Sequence, residues 1–281
     1  SDSRVLFELD QLYKRFNKTP EDRLSLLSKN IALVEDRDDL YIEYVTLHSL
    51  TGQFEKAKEL LAARNFHPWE GGEGKTSGQH TLIHVELAKK ALDEGDALTA
   101  KELLHQARTY PYNLGEGKIY GAQENDILYW LGCAYRQLED EKMAEEFWTA
   151  ATIGLDEPAP AIFYNDQQPD KIFYQGLALK QLGEIDQARQ RFERLISYGN
   201  AHLNDQIKMD FFAVSLPDLM IFDDDLNFRN RIHCYYLMAL GYIGLNDYKH
   251  AALYFDKVLE IDKTHMGAIL HSKLLKHTIE C

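Results

Sequence analysis

Apolar residues return every three or four positions along most of the chain, the period of amphipathic helices, and five short polar turns interrupt the pattern at equivalent places. The turns read Leu50-Thr51-Gly52-Gln53-Phe54-Glu55-Lys56-Ala57, Asp93-Glu94-Gly95-Asp96-Ala97-Leu98-Thr99-Ala100, Leu138-Glu139-Asp140-Glu141-Lys142-Met143-Ala144, Leu182-Gly183-Glu184-Ile185-Asp186-Gln187-Ala188 and Leu245-Asn246-Asp247-Tyr248-Lys249-His250-Ala251. Their closing alanines are 43, 44, 44 and 63 residues apart. One helix-turn-helix unit is therefore predicted five times. Around the third turn, Leu128, Leu131, Gly132 and Tyr135 precede and Ala144, Trp148 and Ala151 follow. Small residues such as Gly132, Gly176 and Ala144 stand where two helices must approach closely, and bulky ones such as Trp148 and Phe192 where the gap between them needs filling.

Residues 3–34 add a capping pair. An apolar stripe of Val5, Leu6, Leu9 and Leu12 is followed by Thr19-Pro20-Glu21-Asp22, with Thr19 as N-cap, Pro20 as first helical position and Asp22 as the reciprocal acid of a capping box. At the other end, residues 264–280 predict one more helix, laid over the apolar face of the last unit, because such units bury their cores only against neighbours. The pattern resembles the tetratricopeptide repeat over residues 38–280, best in Leu131-Gly132 to Ala151 and Gly176 to Leu195; Val45 and Ala88 stand where the small glycine is usual. The expected fold is all-α: a single-domain, tetratricopeptide-like right-handed solenoid of about six helix pairs, with five units over 38–263.

A tetratricopeptide unit needs about 34 residues, so roughly 10 residues are extra in three units and roughly 30 in another. They fall near 65–77, 110–122, 155–168 and 197–228, between the second helix of one unit and the first of the next. Stacking should gather these four insertions on one edge, where loops on a rigid frame carry function. Gly72-Glu73-Gly74-Lys75 and Gly115-Glu116-Gly117-Lys118 are 43 residues apart, like Gly52 and Gly95, and so occupy equivalent positions of adjacent units.

The insertion strings His67-Pro68-Trp69-Glu70-Gly71-Gly72-Glu73-Gly74-Lys75, Asn113-Leu114-Gly115-Glu116-Gly117-Lys118 and Phe212-Ala213-Val214-Ser215-Leu216-Pro217-Asp218 resemble the tetratricopeptide-like C-terminal part of long bacterial proteins. In those proteins a β-rich domain of unknown function comes first. The chain opens Ser1-Asp2-Ser3 without a methionine and so reads as a fragment of something longer. The resemblance implies that the N-terminal domain of a parent protein is one candidate partner.

Composition narrows the classes. With 45 acidic against 31 basic residues the net charge is −14, opposite to what nucleic-acid or anionic-membrane binding requires. The apolar runs fall short of the roughly 18 residues of a membrane helix. Cys133, Cys234 and Cys281 are an odd number without paired spacing, which indicates neither a disulfide framework nor zinc and suits a reducing, cytoplasmic setting. Gly74-Lys75-Thr76 lacks the upstream glycine of a phosphate loop, since residue 69 is Trp69. Asp223-x-Asp225-x-Asn227 lacks the glycine and glutamate of a calcium loop, having Phe228 and Cys234 there. No metal and no cofactor are expected.

The candidate binding residues lie on the insertions and the inner helices: Trp69, Glu70, Glu73, Lys75, Asn113, Glu116, Lys118, Tyr164, Asn165 and Asp166 on the loops, and Tyr129, Phe173, His233 and Tyr236 on the concave side. Glu73 and Glu116 have two readings. They tie their loops to helix N-termini or to Lys75 and Lys118, or they stand beside Trp69, Tyr112 and Tyr120 to hold a polyhydroxylated ligand. The expected function is non-catalytic: a groove and loop edge that hold another domain, a peptide or a saccharide. The competing class is a glycosidase-like site in which Glu70, Glu73, Glu116, Asp166 or Asp218 supplies paired carboxylates.

Overall fold

A computed structural model describes residues 2–160, 166–207 and 225–275. Within them the chain is an all-α solenoid. The capping region is α1 (Ser3–Arg15), α2 (Pro20–Ser28) and the short α3 (Ile31–Val34). Five helix pairs follow: α4 (Asp38–Leu50) with α5 (Phe54–Ala63), α6 (Lys75–Asp93) with α7 (Ala97–Ala107), α8 (Asn125–Gln137) with α9 (Glu141–Ala151), α10 (Pro169–Gln181) with α11 (Ile185–His202), and α12 (Leu226–Gly244) with α13 (Tyr248–Ile261). A one-turn α14 (Met266–His271) and a 3-10 turn to Leu275 close the described chain. The first helices of successive pairs, α4, α6, α8, α10 and α12, stack side by side as the inner layer.

All five turns have the same backbone. The residue five before each turn alanine is left-handed: Gly52, Gly95 and Gly183 at φ near 80°, Glu139 at 61° and Asn246 at 62°. The next amide then donates back into the finished helix, as in Asp96 N to Ala91 O (2.8 Å) and Asp140 N to Tyr135 O (2.9 Å), the 6→1 bond of a Schellman ending. Asp96, Asp140 and Asp247 then cap the next helix, accepting from Thr99, Met143 and His250 amides.

Packing follows the small-over-large pattern. A methyl group on Gly132 would stand 2.2 Å from the Trp148 ring, and one on Gly176 would stand 2.4 Å from Phe192. The capping helices are pinned by a buried ion triad. Arg23 donates to Asp10 at 2.9 and 2.6 Å and to Glu43 at 2.9 Å, which ties α1 and α2 to α4. Thr19 caps α2 by accepting from Asp22 N. Cys234 is a free, buried thiol, and Cys133 is disulfide-bonded, contrary to what the odd count suggested. No described helix is long and apolar enough to cross a membrane.

Two apolar cores run along the solenoid and meet in α6, which gives Ile83 to the N-terminal one and Val85 and Ala88 to the other. The segment after α13 does more than cover the last unit. Ala268 and Leu274 join the second core, while Leu270 joins the first with Met266 and Ile269 packed against it. The two ends of the solenoid therefore meet. The Asn17 side chain donates to Glu260 O at 3.0 Å and accepts from Lys263 N at 2.8 Å.

Candidate functional site

Because the ends meet, the concave side is a bowl of about 1060 Å³. Inner helices form its wall and insertion loops its rim, while Gly267, Leu270 and His271 close it from below. The wall follows the repeat register. Leu82, Asp126, Asp170 and His233 stand eighteen residues before their turn alanines, and Glu43, Glu86 and Tyr174 stand fourteen before theirs. One turn of helix separates the two rows, so both face the same way.

The charges on this wall are held by internal partners. Lys171 lies 2.6 Å from Asp126 and 3.3 Å from Asp170; burial would lower its pKa, but the two carboxylates outweigh burial and raise it. Glu86 pairs with Lys89 at 2.6 Å. Burial would raise the Glu43 carboxyl, yet Lys14, Arg23 and Lys75 together hold it below its usual value. His233 donates to Ala159 O at 2.7 Å, and burial pushes its pKa down to about 4, so it is neutral. The Tyr236 hydroxyl lies 3.0 Å from Nδ1 of His271.

The insertions are stitched to one another along the rim. Phe66 N donates to Asn113 O at 2.8 Å, and the Asn113 amide donates to Leu61 O and Arg64 O. Glu116 reaches across to the start of α6. It accepts from Gly74 N (2.9 Å), Thr76 Oγ1 (2.5 Å) and Ser77 N (2.7 Å), a carboxylate set on a helix N-terminus where the dipole favours it. Gln123 links the second insertion to the third through Asp166 O at 3.2 Å and Gln168 N at 3.3 Å.

The candidates from sequence therefore separate. Glu73, Lys75, Glu116, His233 and Tyr236 line the bowl. Trp69 and Glu70 line a second cavity of about 380 Å³ between the first two insertions, which Glu73 and Glu116 also border. The half-buried Trp69 ring lies against Gly72, where a methyl group would come within 2.2 Å. Lys118 is taken up by Glu124 at 2.5 Å and Arg108 O at 3.1 Å, and Asn113 by the stitching. Tyr129 and Phe173 do not reach the bowl. Both are fully buried: Phe173 stands one residue before the wall position Tyr174, and one residue turns a side chain by about 100° into the core between units, while Tyr129 holds the same place in the preceding unit, fifteen residues before its turn alanine. Tyr164 and Asn165 lie outside the described residues, as do Phe212–Asp218. Sequence reasoning missed Glu43, Glu86, Asp126, Asp170, Lys171, Tyr174 and His271. The 44-residue spacing of Asp126 and Asp170 was the legible signal for two of them. Among the described residues no group of three or more potential metal ligands is present.

The insertion loops also carry large side chains that nothing covers. Tyr112 and Tyr120 are fully exposed, Ile153 and Leu155 are largely so, and Ile119 is about half exposed.

Residues 126–152 and 232–265 match the family model of the tetratricopeptide repeat, which coincides with the α8–α9 and α12–α13 units. Among solved structures the chain is similar to YrrB, described as a TPR protein with an unusual peptide-binding site. The identity is 17%, over 88% of this chain and 97% of that chain, with a TM-score of 0.30.

Proposed function

We propose that this solenoid is a non-catalytic docking module that holds another polypeptide, first of all another domain of a longer parent protein, on its insertion edge. The observation that carries this reading is the set of exposed Tyr112, Ile119, Tyr120, Ile153 and Leu155 on loops whose backbones are otherwise fixed by Asn113, Glu116 and Gln123. Large exposed apolar side chains on a rigid frame are interface material, Tyr above all. The resemblance to the C-terminal part of bacterial proteins with a preceding β-rich domain supports that partner over a free peptide.

The glycosidase-like alternative needs two uncommitted carboxyls facing one pocket. Glu116 is committed to the α6 N-terminus and Asp218 lies outside the described residues, which leaves Glu70 and Glu73, both on the smaller cavity, as the pair that reading would need. A saccharide in the cavity beside Trp69 remains the second ligand class to measure.

The test is calorimetric titration of the module with the separately expressed remainder of its parent protein and with a panel of oligosaccharides. Binding to the polypeptide that falls at least tenfold in the triple variant Tyr112→Ser, Tyr120→Ser, Leu155→Ser supports docking on this edge. Binding to saccharides alone, or polypeptide binding indifferent to the triple variant, overturns it.

A further inference from the structure

The segment from Thr264 to Leu275 is short, yet it touches both ends of the molecule. From α14, Leu270 enters the N-terminal core, while Ala268 and, just beyond the helix, Leu274 enter the core of the later units. Lys273 places its ammonium 5.6 Å over the Phe54 ring of α5. On the opposite side the His271 ring sits among Phe173, Tyr174 and Tyr236, with centroids 5.8, 5.8 and 5.9 Å away. Gly267 lets the segment approach Tyr236 closely, since a methyl group there would stand 2.4 Å from the hydroxyl oxygen. Beside it, Asn17 bonds to both Glu260 and Lys263.

A solenoid whose units contact only their neighbours can change its curvature by small adjustments at every junction. We propose that residues 264–275 are a clasp that closes this solenoid into a ring and thereby fixes the shape of the bowl. Gly267, Leu270 and His271 line the bowl, so closure and occupancy are linked. A ligand that touches both α14 and the inner helices stabilises the closed ring, and opening the ring removes the lower boundary of the bowl and weakens any ligand seated on it. The insertion edge, whose stitching by Asn113, Glu116 and Gln123 involves none of residues 264–275, keeps its form in either state. The clasp thus goes beyond the docking reading, and each can fail without the other.

The distance between the ends tests the clasp. Spin labels at the exposed positions Lys18→Cys and Asp256→Cys should give one narrow distance distribution in the otherwise unaltered chain. In the Leu270→Ser background the distribution should widen and move to longer distance, with helical content retained. Asn17→Ala, which removes the bonds to Glu260 and Lys263 but no apolar packing, should widen it less. It decides the matter if Leu270→Ser does not fold. Distributions as narrow in these variants as in the parent would overturn the clasp. A uniform loss of amide protection in α8 and α9 together with α1 to α5 would do the same, because the segment would then be ordinary core.

Discussion

At the scale of single residues, the two glutamates of the repeated loop have different roles although the sequence writes them alike. Glu116 accepts two amides and one hydroxyl at the start of α6, whereas Glu73 stands half-exposed between the two cavities. Replacing a carboxylate that caps a helix costs about 1–2 kcal/mol. Glu116→Ala should therefore lower the melting temperature by several degrees, and Glu73→Ala should leave it within about a degree. Equal losses would mean that the loops are equivalent in fact as well as in register. Histidines give the second residue-scale prediction. Burial holds His84 and His233 down to about 4, against an ordinary value of 6.5, and each donates a hydrogen bond to a backbone carbonyl. The unfolded chain takes up protons below 6.5 that the native chain refuses until about 4, so stability rises with pH across that window. This contribution is complete above 6.5 and is lost as pH falls from 6.5 to 4, at about 1.4 kcal/mol per pH unit for each histidine. His84→Gln should flatten the slope of unfolding free energy against pH in that window and leave the slope above pH 7 unchanged.

At the scale of elements, the five turns test what a left-handed residue is worth. Glu139 occupies at φ 61° the place that Gly52, Gly95 and Gly183 occupy in other units, and a side chain there costs roughly 1–2 kcal/mol relative to glycine. Glu139→Gly should raise the denaturation midpoint, and Gly183→Ala should lower it by a similar amount. The opposite signs would rule out a shared Schellman ending as the origin of the turn. These elements were legible because turn chemistry, small-over-large pairing and Asp caps are local: Gly132 under Trp148 and Asp140 before Met143 are written within twenty residues of one another. The bowl was only half legible. Asp126 and Asp170 repeat at 44 residues and could have been found. Tyr129 and Phe173, by contrast, were placed in the groove because one residue of register, a rotation of about 100°, cannot be read from hydrophobicity when both neighbours are aromatic, as in Tyr129-Trp130 and Phe173-Tyr174. The role of Leu270 was illegible for a different reason. Its apolar stripe fits the last unit equally well, and only the superhelical curvature, which no local pattern encodes, brings it to the N-terminal core.

At the scale of the whole molecule, ring closure should decide how the chain unfolds. Open repeat arrays are held by nearest-neighbour interfaces and can lose terminal units stepwise. Here the two cores share α6 at one junction and α14 at another, so neither can dissolve without exposing apolar surface of the other at two places. Unfolding in urea should accordingly be one transition. In a Trp69→Phe background, which removes the tryptophan packed against the N-terminal core, Trp130 and Trp148 report on the later units, while far-ultraviolet circular dichroism reports on all helices, so the two signals should coincide while the ring is intact. Weakening the α14 junction with Leu270→Ser leaves α6 as the main link between the cores. The N-terminal one should then melt first, because its Asp10–Arg23–Glu43 triad is a buried ion cluster whose desolvation offsets much of its attraction. Circular dichroism should begin to fall at lower urea than tryptophan fluorescence in that variant, with a plateau or a clear separation of midpoints. Coincident transitions in both proteins would mean that α6 suffices to make the solenoid cooperative and that closing the ring shapes the bowl without governing stability.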